Sequence, residues 1–70
     1  MREEWTGDLI GRMHNAEVSM TELAQEMNVK KPYVSMILNG HRSPKGGRER
    51  LEAAFNNIIR RRAVAASDSE

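Results

Sequence analysis

Cysteine is absent from the 70-residue chain, and aromatic residues make up only 4% of it. Disulfide bonds are therefore excluded, as is a zinc site built on thiolates. No apolar run is long enough to cross a bilayer, which argues against a membrane partner. The N-terminus is acidic and lacks the basic start and apolar middle of a signal peptide. These absences together predict a soluble, intracellular protein.

The charge is small in total but unevenly distributed. Residues 1–27 contain two arginines against six acidic residues, whereas residues 28–62 contain nine lysines and arginines against two acidic residues. Such asymmetry suggests a basic surface that meets a polyanion. Solvated helix faces would give the same pattern, so the charge alone leaves both interpretations open.

Apolar residues recur at helical spacing along the chain, and no stretch alternates as a half-buried strand does. This pattern predicts an all-α fold, a compact bundle of four to five short helices. We expect these helices over about residues 3–15, 20–27, 31–39 and 48–63. Residues 1–64 would then form one domain, followed by a disordered acidic tail over 65–70. The inward positions are Trp5, Leu9, Ile10, Met13, Met20, Leu23, Ala24, Met27, Val34, Ile37, Leu38, Leu51, Ala54, Phe55, Ile58 and Ile59.

Local signals mark where the middle helices begin and end. Ser19 and Glu22 have the spacing of a capping box, which satisfies two amides at a helix start. Asn28 tolerates the left-handed backbone that a sharp turn between helices needs. Pro32 suits a first helical turn, and Gly40 suits a helix stop.

Two short helices joined by a tight turn, with a basic loop after the second, predict a helix-turn-helix. Ala24 has to be small where the second helix crosses it, and Asn28 has to allow the turn. The apolar residues that would fix the angle between the helices are Leu23, Met27, Val29, Val34 and Ile37.

This segment resembles the lambda-repressor-like (Xre/Cro-type) helix-turn-helix family. The resemblance extends over roughly residues 4–62 and lies in the pair Leu23-Ala24, in Val29 after the turn, in Val34-Ser35, in Asn39-Gly40 and in the basic loop that ends at Pro44. The family often has glycine at the position of Asn28 and glutamine at the position of Met20. A glutamine there can contact the DNA backbone and brace the following helix.

The resemblance implies that the third helix enters the major groove of double-stranded DNA. The candidate base-contacting residues are Lys31, Pro32, Ser35, Met36 and Asn39. Lys31 suits guanine, Ser35 suits several bases, Met36 suits a thymine methyl, and Asn39 suits a phosphate or an adenine. Ordinary exposed surface is the alternative interpretation, above all for Met36.

Phosphate contacts would fix the register of the protein on the duplex. The candidates are Lys30, Tyr33, His41, Arg42, Ser43 and Lys45, with Arg48 and Arg50 reaching the flanking backbone. The run from Arg60 to Arg62 is ambiguous, because cations at a helix C-terminus are also favoured by the helix dipole.

Members of this family usually bind inverted repeats as dimers. Candidate dimer-interface residues are Phe55, Ile59 and Val64, although the isoleucines of the last helix would equally complete the monomer core. Catalysis is not expected, because His14 and His41 are isolated from any nucleophile or metal-ligand pattern. The sequence indicates no cofactor and no small-molecule effector.

The prediction from the sequence is therefore a small repressor of phage or mobile-element type, cytoplasmic and associated with the nucleoid. The rival hypothesis is a helix-turn-helix module that binds another protein, as antirepressors and antitoxin-like partners do. The acidic first helix would suit that role, whereas the basic third helix suits DNA.

Overall fold

Four helices account for most of residues 4–68, the part of the chain that the structure, a computed structural model, describes; side chains are described as far as residue 65. They are α1 (Glu4–Ala16), α2 (Met20–Met27), α3 (Lys31–Leu38) and α4 (Gly47–Asp68). No strand occurs in this range, and the predicted all-α class is confirmed. None of these helices is both long enough and apolar enough to pass through a membrane.

All four helices contribute to one hydrophobic core. The predicted inward residues are either buried or packed at its edge, and Leu9, Leu23, Val34, Leu38 and Leu51 have no exposed surface. Burial of apolar surface is the main stabilising contribution in so small a domain. Two core residues were missed in the sequence. Thr6, polar but only 2% exposed, shares a face of α1 with Leu9 and Met13, and Val18 is buried in the loop after α1.

The first three helices end in the same way. A residue with a left-handed backbone follows the helix, directly after α1 and α2 and one residue later, beyond Asn39, after α3. The amide of the next residue donates to the carbonyl five residues before it, as in a Schellman motif. The left-handed residues are Glu17, Asn28 and Gly40, with φ of 57°, 59° and 82°. The bonds join Val18 N to Met13 O (2.8 Å), Val29 N to Ala24 O (2.9 Å) and His41 N to Met36 O (2.8 Å).

Two of these three ends were predicted, because Asn28 and Gly40 are residue types that tolerate positive φ. The end of α1 was expected at about Asn15, whereas the helix ends at Ala16 and Glu17 is the left-handed residue. Glutamate has no preference for that conformation, so the residue type gave no signal there. The valine after Glu17 is buried and holds the chain in place there.

The start of α2 is the predicted capping box. Glu22 N donates to Ser19 Oγ at 3.1 Å, and Ser19 N donates to Glu22 Oε1 at 3.3 Å. Two amides that the helix itself leaves without acceptors are thereby satisfied.

The last helix differs from the prediction in its bounds. It begins at Gly47 rather than 48 and continues to Asp68, five residues beyond the expected end at 63. Residues 63–66 are Ala-Val-Ala-Ala, a helix-favouring run that contains no breaker, so nothing in the local chemistry ends the helix at 63. The stretch 65–70, expected to be disordered, overlaps this helix as far as Asp68. Its last two residues lie outside the described part of the chain.

Candidate nucleic-acid interface

The third helix divides into a buried face and an outer face. Val34, Ile37 and Leu38 anchor it in the core, with at most 2% of their surface exposed. Helical geometry places the five residues predicted to contact bases on the opposite side. Of these, Lys31, Pro32, Met36 and Asn39 are exposed and Ser35 is half-buried. The structure therefore brings the predicted set together on one accessible surface, which we call the α3 outer face (Lys31, Pro32, Ser35, Met36 and Asn39).

The N-terminus of α3 is strongly positive. Lys30 occupies the N-cap position, and no side chain caps the helix. The first turn holds Lys31 and Pro32 and contains no acidic residue. The positive end of the helix dipole thus coincides with two lysines. A carboxylate is the usual stabilising group at this position, and here its absence leaves the charge open to an outside anion.

Cations near α3 differ from most of the other cations in their partners. Four of the six described arginines elsewhere form ion pairs, and Arg50 and Arg60 do not: the pairs are Arg12 with Asp8 and Glu52, Arg48 with Glu52, Arg61 with Glu26, and Arg62 with Glu22. Among the side chains of residues 4–65, no such pair involves Lys30, Lys31, Arg42 or Lys45. The positive charge around the α3 outer face is therefore not neutralised by this part of the chain.

The loop after α3 folds back over the end of the helix. The amides of His41 and Arg42 both donate to Met36 O, at 2.8 and 3.2 Å. The guanidinium carbon of Arg42 then lies 5.3 Å from the centre of the Tyr33 ring, a cation–π contact. Two residues predicted separately as phosphate contacts are thus a stacked pair. The remaining predicted phosphate contacts are all exposed: Lys30, His41, Ser43 and Lys45.

Ser35 and Asn39 are joined by hydrogen bonds. Asn39 Nδ2 donates to Ser35 O at 2.9 Å and to Ser35 Oγ at 3.1 Å. From the sequence, the two residues were expected to contact bases independently. Their spacing of one helical turn was the signal that could have linked them.

The three consecutive arginines of α4 do not lie at a helix end, because α4 continues past them. Arg61 Nη1 donates to Glu26 Oε1 at 2.6 Å. Arg62 donates to the carbonyls of Ala16 and Glu17 and to both carboxylate oxygens of Glu22. These hydrogen bonds connect α4 to α2 and to the end of α1. The explanation by a helix C-terminus is therefore wrong, because α4 continues to Asp68. Of the three arginines, only Arg60 has no partner among the described residues.

The carboxyl of Glu22 has a pKa below its ordinary value of 4.5. The largest cause is the hydrogen bond from the Ser19 amide, and the hydrogen bond from Arg62 is the second. Both bonds favour the ionised carboxylate. The start of α2 therefore carries a stable negative charge, opposite in sign to the start of α3.

The three residues predicted for a dimer interface occupy different environments. Phe55 is 6% exposed and belongs to the core, and the Arg12 guanidinium carbon lies 5.5 Å from its ring centre. Its expected role at a dimer interface is corrected accordingly, because a ring closed over by its own chain has little area to give to a partner. Ile59 is half-buried, and Val64 is 55% exposed. Arg48 and Arg50, expected to reach the flanking DNA backbone, also differ in environment. Arg48 pairs with Glu52, and Arg50 is exposed.

Comparison with protein families gives one match. A family described as helix-turn-helix matches residues 12–48, just over half of the chain. The matched segment runs from the second half of α1 through α2 and α3 to the start of α4. No curated protein and no solved structure matches the chain significantly. The chain belongs to the Xre/lambda-repressor-like helix-turn-helix family, whose members are DNA-binding regulators.

Proposed function

We propose that this protein is a sequence-specific regulator of transcription that reads double-stranded DNA with the α3 outer face. One observation carries the proposal: none of the four cations around α3 has a carboxylate partner within residues 4–65, whereas four of the six described arginines elsewhere have one. Unneutralised cations cost stability through mutual repulsion unless an anion meets them. The phosphate backbone of DNA is such an anion, and its grooves fit an α-helix.

The residues of the α3 outer face suit the edges of bases in the major groove. Lys31 donates to the acceptors of guanine, and Met36, 36% exposed, contacts a thymine methyl. Ser35 and Asn39 follow along the same face. Pro32, next to Lys31, completes the surface that approaches the bases.

Phosphate contacts come from the residues on either side of this face. Lys30 precedes α3, and the pair of Tyr33 and Arg42 follows its outer edge. The remaining donors are His41, Ser43 and Lys45, and Arg50 reaches the flanking backbone. Such contacts supply most of the affinity and make it depend on salt.

We further propose that the protein binds an inverted repeat as a homodimer, with half-sites about 34–36 Å apart. Val64, which is exposed, and Ile59, which is half-buried, are the residues of α4 that would contact the second copy. A domain bound to a promoter occludes it, so we infer a small repressor of phage or mobile-element type, acting at the nucleoid.

Selection of bound sequences from a random duplex pool tests the proposal directly. A single half-site motif, repeated in inverted orientation, is the expected result. The affinity for the selected duplex should fall by about 0.9 log units per log unit of salt for each neutralised phosphate. Failure to bind any duplex at low salt would remove the proposal.

Lys31→Ala tests the assignment of α3. We expect a loss of about 1–3 kcal/mol in binding and a relaxed preference at one base pair. Arg60→Ala is the matched control, because it removes an exposed cation that has no partner among the described residues and lies on another helix. An equal loss in both variants would point to unspecific electrostatic attraction instead of reading by α3.

Val64→Glu tests the dimer. A buried glutamate in the interface would favour monomers, which sedimentation equilibrium measures, and would weaken binding to the inverted repeat more than to an isolated half-site. Unchanged association of the variant would exclude Val64 from the interface.

A further inference from the structure

The side-chain amide of Asn39 donates hydrogen bonds to Ser35, one helical turn earlier. The side-chain amide of asparagine has two N–H donors and one carbonyl acceptor. Nδ2 donates to Ser35 O and to Ser35 Oγ, at 2.9 and 3.1 Å, so the donor side of the amide is directed at Ser35. The group that Asn39 offers to an outside molecule is therefore Oδ1, an acceptor.

The same bond restricts the orientation of the Ser35 hydroxyl. A serine hydroxyl has one hydrogen to donate and two lone pairs that accept. Because Ser35 Oγ accepts from Asn39, its own hydrogen points away from Nδ2 and is available to another acceptor. Its second lone pair also remains, so the bond to Asn39 restricts the orientation of the hydroxyl and not its hydrogen-bonding type.

We infer that Asn39 is a positioning residue that holds Ser35 Oγ in one orientation, and that the base preference at the position Ser35 reads depends on this bond. This inference rests on the proposed DNA-reading function. Along the major groove the acceptors are N7 and O6 of guanine, N7 of adenine and O4 of thymine, whereas the cytosine edge offers a donor.

The inference also restricts Asn39 itself. Phosphate oxygens only accept hydrogen bonds, so a side chain that presents Oδ1 does not hold a phosphate. A bidentate contact to adenine needs one donor and one acceptor from the amide, and the donor is already engaged. Both contacts that the sequence suggested for Asn39 would require its bonds to Ser35 to break.

The test uses the full chain and a duplex selected from a random pool. Binding is measured for the wild type, Ser35→Ala, Asn39→Ala and the double variant, against duplexes that carry each base at every position of the half-site. We expect Ser35→Ala to relax one position by about 10-fold, the size of one lost hydrogen bond to a base. Asn39→Ala should relax that same position, and the double variant should lose little more than either single variant.

Relaxation by Asn39→Ala at a different position, with losses that add in the double variant, would overturn the inference, because Asn39 would then read its own base. A purine N7 partner is identified by a duplex with 7-deazapurine at the relaxed position, which should bind wild type about as weakly as Ser35→Ala binds the unmodified duplex. Absence of any duplex binding would instead contradict the proposed function, so the two failures are distinct.

A measurement on the free protein guards against variants that fail to fold. The side-chain amide protons of Asn39 should be protected from exchange with water and well separated in an NMR spectrum. Both signals should shift in Ser35→Ala, which removes one acceptor and leaves the backbone intact. Freely exchanging amide protons in the wild type would contradict the inference without any variant of Asn39.

Discussion

Arg62 donates to both carboxylate oxygens of Glu22, at 3.0 and 2.8 Å, although forty residues separate the two in the chain. The same guanidinium also reaches the carbonyls of Ala16 and Glu17, at 2.6 and 3.1 Å. One side chain of α4 thus satisfies acceptors at the end of α1 and at the start of α2. The position of the helix-turn-helix on the rest of the bundle depends in part on this contact.

Arg62→Ala should destabilise the fold by about 1 kcal/mol. The loss stays modest because both side chains are about two-fifths exposed, so water replaces part of what is removed. Urea unfolding measures the change. Arg60→Ala, two residues earlier on the same helix, should change stability by no more than about 0.5 kcal/mol. Similar losses in the two variants would mean that the contact contributes nothing specific.

The pKa of Glu22 makes this contact sensitive to acid. The pKa is below 4.5 in the folded protein, so the ionised carboxylate contributes stability above that value, and the contribution is lost as the pH falls through the lowered pKa. Glu22→Gln keeps a residue suited to the capping box but cannot ionise. The variant should be less stable than wild type near neutral pH, and the two should converge as the pH drops well below 4.5. Unfolding by urea across this range is the measurement, and a constant difference between the two proteins at every pH would contradict the expectation.

Local signals in the sequence predicted most of the fold, whereas contacts between residues far apart in the sequence could not be predicted. Ser19, Asn28 and Gly40 mark helix ends through their own backbone chemistry, so each could be identified without knowledge of the rest of the molecule. The partners of Arg61 and Arg62 depend on how α4 packs over α2, which no spacing in the sequence encodes. Phe55 was predicted both for the core and for a dimer interface for a related reason: periodicity assigns a residue to a helix face but does not say whether the same chain covers it. The structure buries it in the core.

For the candidate interface, too, the sequence predicted the exposed face of α3 but not the contacts between its side chains. The inward stripe of Val34, Ile37 and Leu38 predicts the opposite face of α3 from helical geometry alone. The bond from Asn39 to Ser35 was not predicted, because each residue was considered as a contact to DNA and not as a partner of the other. The hydrogen bonds that a side chain makes to its own helix determine which of its groups remain available to DNA.

Glu17→Gly should stabilise the protein by about 0.5–1 kcal/mol. A non-glycine residue with a left-handed backbone costs about 1–2 kcal/mol, and the added freedom of glycine in the unfolded chain offsets part of the relief. The bond from Arg62 reaches the Glu17 carbonyl, which the substitution retains. Ala16→Gly is the matched control, since it adds the same residue where α1 is still helical and should therefore destabilise. Loss of stability in both variants would mean that Glu17 is not strained.

The exposed face of α1 offers the clearest gain in stability. Gly7 and Gly11 lie within the helix, and a Cβ atom built on either meets nothing within 4 Å. Alanine is favoured over glycine in a helix by about 1 kcal/mol, so each substitution to alanine should raise the free energy of unfolding by about that amount, additively because neither new methyl group touches a neighbour. Gly46→Ala is the control: it too has open space, but its φ of 75° disfavours a side chain, and it should lose stability. Thermal or urea unfolding of the three variants separates the effect of backbone conformation from that of space. No gain from Gly7→Ala and Gly11→Ala would mean that this face of α1 is covered, or not helical, in solution.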